Sequence, residues 1–447
     1  MNGNKYITKI IKLYFFTNCY DKNNFTSLKS LRAFYLEVIS LQPKIGIKEN
    51  IVQFVLLVVT NLFVGSMVGI ERTVLPLLGE EQFGLASASA ALSFIISFGF
   101  SKAIVNYFAG QIADRLGRKK VLLLGWFFGL FVPLLIIFAH AWWVIIVANI
   151  LLGINQGLAW SMTVNMKIDI SKAKQRGTAV GLNEFAGYSG VAIMAAVSGY
   201  IASSYSLRPE PFYIGIGIVI VGLILSLTVK DTGEHLKLQI KNSGTVSSEI
   251  TRSAKEVFAL TTWKNKNLST ISFAGLSTNL KDGMAWGLFP IYFATAGLSV
   301  GQIGTIVAVY PAAWGIFQLF TGTLSDKIGR KVLITYGMWT QAAALWFILA
   351  ANQYILWILG ALLLGLGTAM VYPTLQAAIS DVAEPDWRAS SMGVYRFWRD
   401  SGYAFGALMA GIIADLLGVN WAIGLVALLP FMAGVLSKVR LKETIKN

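Results

Sequence analysis

Apolar runs of membrane-spanning length recur along this chain from residue 51 to residue 437, with few charges inside them. About 20 apolar residues cross a ~30 Å hydrocarbon core as a helix. Lipid offers the backbone no hydrogen bonds, so a spanning helix must pair its polar groups within itself. Candidate spans lie at 51–77, 86–109, 121–139, 142–166, 177–203 and 211–229, and again at 268–296, 300–322, 332–350, 353–379, 390–415 and 419–437. Only 13% of the 447 residues are charged, about half the share that covers a soluble globular surface. The chain reads as an all-α membrane protein with twelve transmembrane helices.

Lysine and arginine outnumber aspartate and glutamate by 37 to 22. Such an excess suits nucleic acid or a membrane, and its placement decides between them. No Lys or Arg occurs in 121–166, 177–207, 209–229, 282–326, 332–387 or 400–437. The basic residues thus gather at every second loop and at both ends, and basic loops stay on the cytoplasmic side. The loops at 110–120, 230–267 and 323–331 and both termini are expected to be cytoplasmic, in the inner cell membrane. The partner is the lipid bilayer, not nucleic acid. The expected organisation is a tail at 1–45, disordered or lying on the inner leaflet, then a six-helix half at 46–229. A polar linker at 230–267, a second half at 268–437 and a basic tail at 438–447 follow. One cysteine, Cys19, and two distant histidines, His140 and His235, leave no intramolecular disulfide and no metal cluster. With no P-loop and no H-E-x-x-H, the sequence points away from an enzyme and calls for no cofactor.

The two halves repeat. Gly110-Gln-Ile-Ala-Asp114-Arg115-Leu-Gly117-Arg118-Lys119 recurs 212 residues later as Gly322-Thr-Leu-Ser-Asp326-Lys327-Ile-Gly329-Arg330-Lys331. At the same offset Gly153 matches Gly365, Asp169 matches Asp381, Arg176 matches Arg388 and Gly199 matches Gly411. Register kept without a gap over that length is an internal repeat. The motif resembles the loop 2–3 signature of the major facilitator superfamily, and its second copy the loop 8–9 equivalent. The resemblance covers residues 51 to 437. It implies two six-helix pseudo-symmetric halves with a substrate site near the midplane between them.

The resemblance also implies roles. In that family the loop aspartate of one half lies near the start of the fifth helix of the other half. Asp114 would then meet the eleventh helix near Ser390, and Asp326 the fifth near Gly177, holding the cytoplasmic face shut. A carboxylate is favoured at a helix N-terminus, and the glycines of the motif permit a tight turn. Asp169 and Asp381 end the fourth and tenth spans and are expected to pair with Arg118 and Arg330.

A charge at the centre of a spanning helix costs about 2.5–3.5 kcal/mol on insertion scales, so each one is a candidate site. Glu71 and Arg72 fall in the first span, Lys102 in the second, Glu184 in the fifth, Lys281 and Asp282 in the seventh. Arg396, Arg399 and Asp400 fall in the eleventh. The third, sixth, ninth and twelfth spans carry none, and the family places those against lipid. Lys281 lies ~20 Å deep, near the midplane. Arg72 is shallow enough to reach the outer headgroups instead. Asn155, Gln156 and Trp160 in the fourth span are candidates for lining the pathway. So are Asn279, Trp286, Trp314, Tyr372, Gln376 and Tyr403 in the second half. Lys102 and Asp400 have similar depths and are expected to pair across the halves when the cytoplasmic side is closed and to part when it opens. Glu184 and Arg396 are equivalent by the repeat and opposite in sign, which suggests a second link.

These residues point to a monomeric secondary active transporter for a small-molecule substrate, working by alternating access, with protons as the coupling ion or by exchange. Gly99-Phe-Ser-Lys102 is similar to the second-helix segment of organophosphate–phosphate exchangers, whose basic residues in helices 1 and 7 hold an anion. Arg72 and Lys281 occupy comparable helices, so an anionic or carboxylate-bearing substrate is expected. A drug-type efflux antiporter is the alternative. Those carry an Arg three residues before the Gln-Gly pair and a Gly-Pro in the fifth helix, where this chain has Gly153 and Met194-Ala195. An alternative of another class is a non-transporting sensor or scaffold with the same fold. Such a protein would be expected to lose the cavity charges or one copy of the motif, and this chain keeps both.

Overall fold

The computed structural model describes residues 43–172, 175–242, 252–384 and 387–445. Residues 1–42, most of the expected N-terminal tail, lie outside them. Residues 45–447 form one compact unit, which among the described residues is helical without a strand. The long helices of the first half are α1 (Ile51–Glu81), α2 (Ser93–Leu116), α3 (Arg118–Ile137), α4 (Trp142–Ile170), α5 (Arg176–Ser204) and α6 (Glu210–Thr228). Those of the second half are α7 (Lys266–Thr295), α8 (Val300–Ile328), α9 (Arg330–Ala350), α10 (Tyr354–Val382), α11 (Arg388–Leu417) and α12 (Val419–Arg440). Ten of them are long and apolar enough to cross a membrane. The other two, α2 and α7, have 24 and 30 residues, enough to span, but are more polar because they carry Lys102, Lys281 and Asp282. The polar stretch before α7 is partly helical, with Gly233–Asn242 and Ala254–Ala259 as short helices.

Several helices outlast their apolar runs. Both α2 and α8 continue through the repeated motif to Leu116 and Ile328, so most of that motif is helix end and not loop. The turn itself is one residue, Gly117 (φ 93°) or Gly329 (φ 103°). Only glycine adopts that left-handed backbone at no steric cost, and the next helix starts at once.

Helix pairing repeats between halves. The α1–α5 contact has its counterpart in α7–α11, α2–α4 in α8–α10, and α3–α4 in α9–α10. The halves meet along two seams, α2 against α11 and α5 against α8. The peripheral helices α3, α6 and α12 leave Phe127, Ile224 and Phe431 exposed. Large apolar side chains on an outer surface are the requirement for contact with lipid tails. The charged helices are thus gathered inside an apolar shell.

Candidate transport pathway

A cavity of about 720 Å³ opens at the end of the bundle that carries the Gly117 and Gly329 turns, here called the basic end. Its walls come from α4 and α5 of one half and α8, α10 and α11 of the other. At its inner limit it meets a small pocket of about 30 Å³, lined by Lys102, Asn106, Trp160, Tyr188 and Arg399. Glu184, Tyr372, Gln376 and Arg396 line both, so the two are continuous.

Lys102 reaches this pocket because α2 lies directly on α4. A Cβ on Gly153 would stand 1.9 Å from Ser101 Oγ and 2.7 Å from the Phe98 carbonyl oxygen. Gly365 does the same for α8 on α10, where a Cβ would be 2.6 Å from the Tyr310 carbonyl oxygen. At the 212-residue offset Trp314 takes the place of Lys102. It stacks on Tyr188 with ring centres 3.6 Å apart. One half therefore presents a cation where the other presents an aromatic plate.

With the basic end open, the expected charge pairs are not formed. Lys102 Nζ sits among the rings of Phe98, Trp160 and Tyr403, at 5.4, 5.8 and 5.0 Å from their centres. It makes no ion pair among the described residues, and the Lys102–Asp400 link is not formed. Asp400 is instead gripped by its neighbour Arg399, with nitrogen–oxygen distances of 2.8 and 2.9 Å. Asn106 Nδ2, one turn beyond Lys102 on α2, donates to Asp400 at 2.6 Å. Asn279 donates from α7 at 3.4 Å. Glu184 and Arg396 do not pair either. Glu184 accepts from Trp160 Nε1 at 2.9 Å and Asn183 Nδ2 at 3.1 Å. Neutral donors thus hold the carboxylate, and Arg396 faces the cavity without a carboxylate partner among the described residues.

The opposite end is sealed. Arg72 and Asp282 form a double contact across the halves, 3.3 and 3.4 Å long, with side chains 4% and 0% exposed. Arg72 is therefore committed to the interior and does not reach headgroups. Trp286 covers it, 5.1 Å from the guanidinium, and packs edge-on against Phe94 and Phe98. Nearer the surface, Asp415 on α11 accepts the Ala88 N–H at 2.6 Å and the Ser87 hydroxyl at 2.7 Å.

At the basic end the motif charges bond within their own halves. Asp114 takes Arg118 at 2.7 Å, and Arg118 also reaches Asp169 at 3.4 Å. Asp326 takes Arg330 at 2.5 Å, and Arg330 reaches Asp381 at 3.2 Å. The contacts expected between Asp114 and α11 and between Asp326 and α5 are not formed among the described residues. Asp326 and Gly177 instead face the open cavity. Arg115 and Lys327 are exposed, and Lys119 Nζ donates to the Leu227 carbonyl at 2.7 Å.

A second tier supports each motif. Asp231, just past α6, accepts the Lys119 N–H at 2.8 Å, and the adjacent Thr232 donates to Asp169 at 2.7 Å. Glu443, past α12, accepts the Arg330 N–H at 2.9 Å and the Lys331 N–H at 3.2 Å, and Thr444 donates to Asp381 at 3.1 Å. Partial burial raises the Glu443 carboxyl, but the N–H groups of Arg330, Ile445, Thr444 and Lys331 outweigh it and hold it below the usual carboxylate range. These four side chains were not singled out from the sequence, although the 212-residue offset that relates the motifs relates them too.

Other expected pathway residues lie elsewhere. Asn155 and Gln156 are buried and donate to the carbonyls of Gly125 and Val64, tying α4 to α3 and α1. Lys281 is fully buried in the second half, bonded to the Tyr310 hydroxyl and to Thr368 Oγ1 at 2.9 Å. Glu71 turns away from the cavity and is buried. The sequence reading also missed Lys167, buried on α4 with its Nζ 2.9 Å from the Leu57 carbonyl, because it stands at the edge of an apolar run.

The family description "Major Facilitator Superfamily" matches residues 54–277 and 271–446. The chain is 26% identical over 348 residues to multidrug resistance protein MdtG of Proteus mirabilis, spanning 76% of this chain and 83% of that protein. It is 25% identical over 152 residues to quinolone resistance protein NorA of Staphylococcus aureus, spanning 34% of this chain and 39% of that one. Its fold is similar to the crystal structure of a mutant of nucleoside transporter NupG, with a TM-score of 0.68 and 13% identity over 87% of this chain and 100% of that one. With both halves matched in sequence and the same helix pairing repeated in each, this chain belongs to the major facilitator superfamily.

Proposed function

We propose that this transporter moves a small anionic solute across the cytoplasmic membrane by alternating access between its halves at 46–229 and 268–437. The observation that carries the substrate class is the pair Lys102 and Arg396. Both face the cavity, and among the described residues neither has a carboxylate partner. A half-buried cation without a counter-ion inside a membrane protein is costly, and an anionic ligand would supply the missing charge. Trp160, Tyr188 and Tyr372 beside them give a flat, apolar wall suited to a solute with an aromatic or hydrocarbon body. On this reading the linker at 230–267 and the tails are cytoplasmic, the cavity faces the cytoplasm, the protein works as a monomer without a cofactor, and it catalyses no covalent reaction. Coupling is to protons or by exchange.

Thermal-shift measurements on purified protein test the substrate class. Aromatic carboxylates or organic phosphates should raise the melting temperature by mass action, and Lys102→Ala with Arg396→Ala should abolish the rise. Stabilisation by drug-like cations alone would overturn this reading. That outcome belongs to the second reading, multidrug efflux, which the names of MdtG and NorA favour and for which Glu184 is the cavity carboxylate.

A further inference from the structure

Glu71 lies on α1, 1% exposed, and neither of its carboxyl oxygens has a hydrogen-bond donor. The polar side chain beside it is Asn149 of α4, itself fully buried. Asn149 donates its Nδ2 to the Ile145 carbonyl of its own helix at 3.2 Å, which leaves its Oδ1 without a donor as well. Turning the amide over would set that oxygen against the Ile145 carbonyl, so the helix fixes its orientation. Asn149 is the polar group nearest Glu71, and its second amide hydrogen completes no hydrogen bond to either carboxyl oxygen. An ionised carboxylate without donors in an apolar interior is strongly disfavoured. A proton removes the charge that this apolar interior disfavours.

The surroundings supply no cation to replace that proton. Among the described residues Asn149 is the one side chain that acts on Glu71, while the groups facing the next residue, Arg72, are Asp282 on α7, Tyr310 on α8 and Tyr403 on α11. Arg72 is engaged by Asp282. At the start of α6, Glu210 takes the Ser206 hydroxyl. Glu71 is the residue next to Arg72, so parting of the Arg72–Asp282 contact would bring water to the same helical turn.

We propose that Glu71 is a proton-binding site of the transport cycle, holding its proton while the Arg72–Asp282 end is closed and giving it to water when that end opens. The place in the cycle rests on the transporter reading; the proton itself does not. Infrared spectra of the purified full-length protein at neutral pH test it without any substrate. Wild type should show the carbonyl stretch of a protonated carboxylic acid that is missing in Glu71→Gln and shifted in Asn149→Val. Arg72→Gln combined with Asp282→Asn breaks the closing contact without stranding a buried charge, and should lose the band at the same pH. A wild-type spectrum without the band, or an unchanged band in Glu71→Gln, overturns the site. A band that survives in the opened double variant makes Glu71 a structural acid and overturns its part in the cycle.

Discussion

Asp231 and Glu443, 212 residues apart, do the same work in opposite halves. Each carboxylate sits on the first N–H groups of the helix that follows the motif glycine, α3 or α9. The partial positive charge and unpaired donors of a helix N-terminus make that placement favourable. The neighbouring threonine then reaches the aspartate that also pairs with the motif arginine. The exits of α6 and α12 are thereby fastened to the motif of their own half.

Acid should loosen the second of these fastenings. The folded pKa of Glu443 is lowered, so its contribution is present above the unfolded value of about 4.3 and is lost as pH falls through the lower folded value. Glu443→Gln should melt below wild type at neutral pH, and the gap should close as the pH is brought under about 4. A gap that is constant across that range would mean the carboxylate charge contributes nothing.

The Arg399–Asp400 pair predicts unequal mutants. Asp400→Asn leaves Arg399, 7% exposed, without its counter-charge, which should cost about 3–5 kcal/mol in stability. Lys102→Ala removes no ion pair and should melt close to wild type while losing ligand binding. The double variant should show the sum of the two losses, without rescue, because the two residues are not partners. Melting curves in detergent decide the point.

Close helix contact predicts that Gly153→Ala and Gly365→Ala destabilise by about 1–3 kcal/mol each, since the added methyl meets backbone that cannot move aside. Gly181→Ala should be nearly neutral, because nothing lies within 4 Å of a Cβ there. Equal melting temperatures for Gly153→Ala and Gly181→Ala would contradict the packing described.

Asp114→Asn and Asp326→Asn should cut transport while leaving the melting temperature nearly unchanged. Asp114 is 65% exposed and Asp326 61% exposed, each bonded within its own motif, so neither supports the core here. Their effect is expected in the state with the basic end closed. Full transport activity with both replaced would remove the gating role.

Orientation is open to cysteine labelling in a Cys19→Ser background. Lys237→Cys lies in the helix after α6, and Ser299→Cys caps the start of α8 at the other end of the bundle. A membrane-impermeant thiol reagent applied to intact cells should label the second and spare the first. The reverse result would invert the topology.

The number of spans, their order and the duplication were settled by sequence alone. Hydrocarbon admits only long apolar helices, and a repeat at fixed offset needs no structure to be seen. The motif was legible in the same way, although its helical part was not. An apolar run marks where a helix is in lipid, while the helix itself goes on as far as its own hydrogen bonds allow, to Leu116 and Ile328. Which charges meet was decided only by the tertiary structure. Depth along α2 cannot choose between Lys102 and Asn106, which share a face one turn apart, and the amide, not the amine, reaches Asp400. Lys281 is fully buried, yet its side chain enters the second half instead of the cavity. A side chain's direction around its helix depends on what packs against it, and that packing comes from residues far away in the chain. On the proposed alternating-access reading, whether the basic end is open or shut is likewise absent from the sequence, because both states would share one sequence and differ in contacts between the halves.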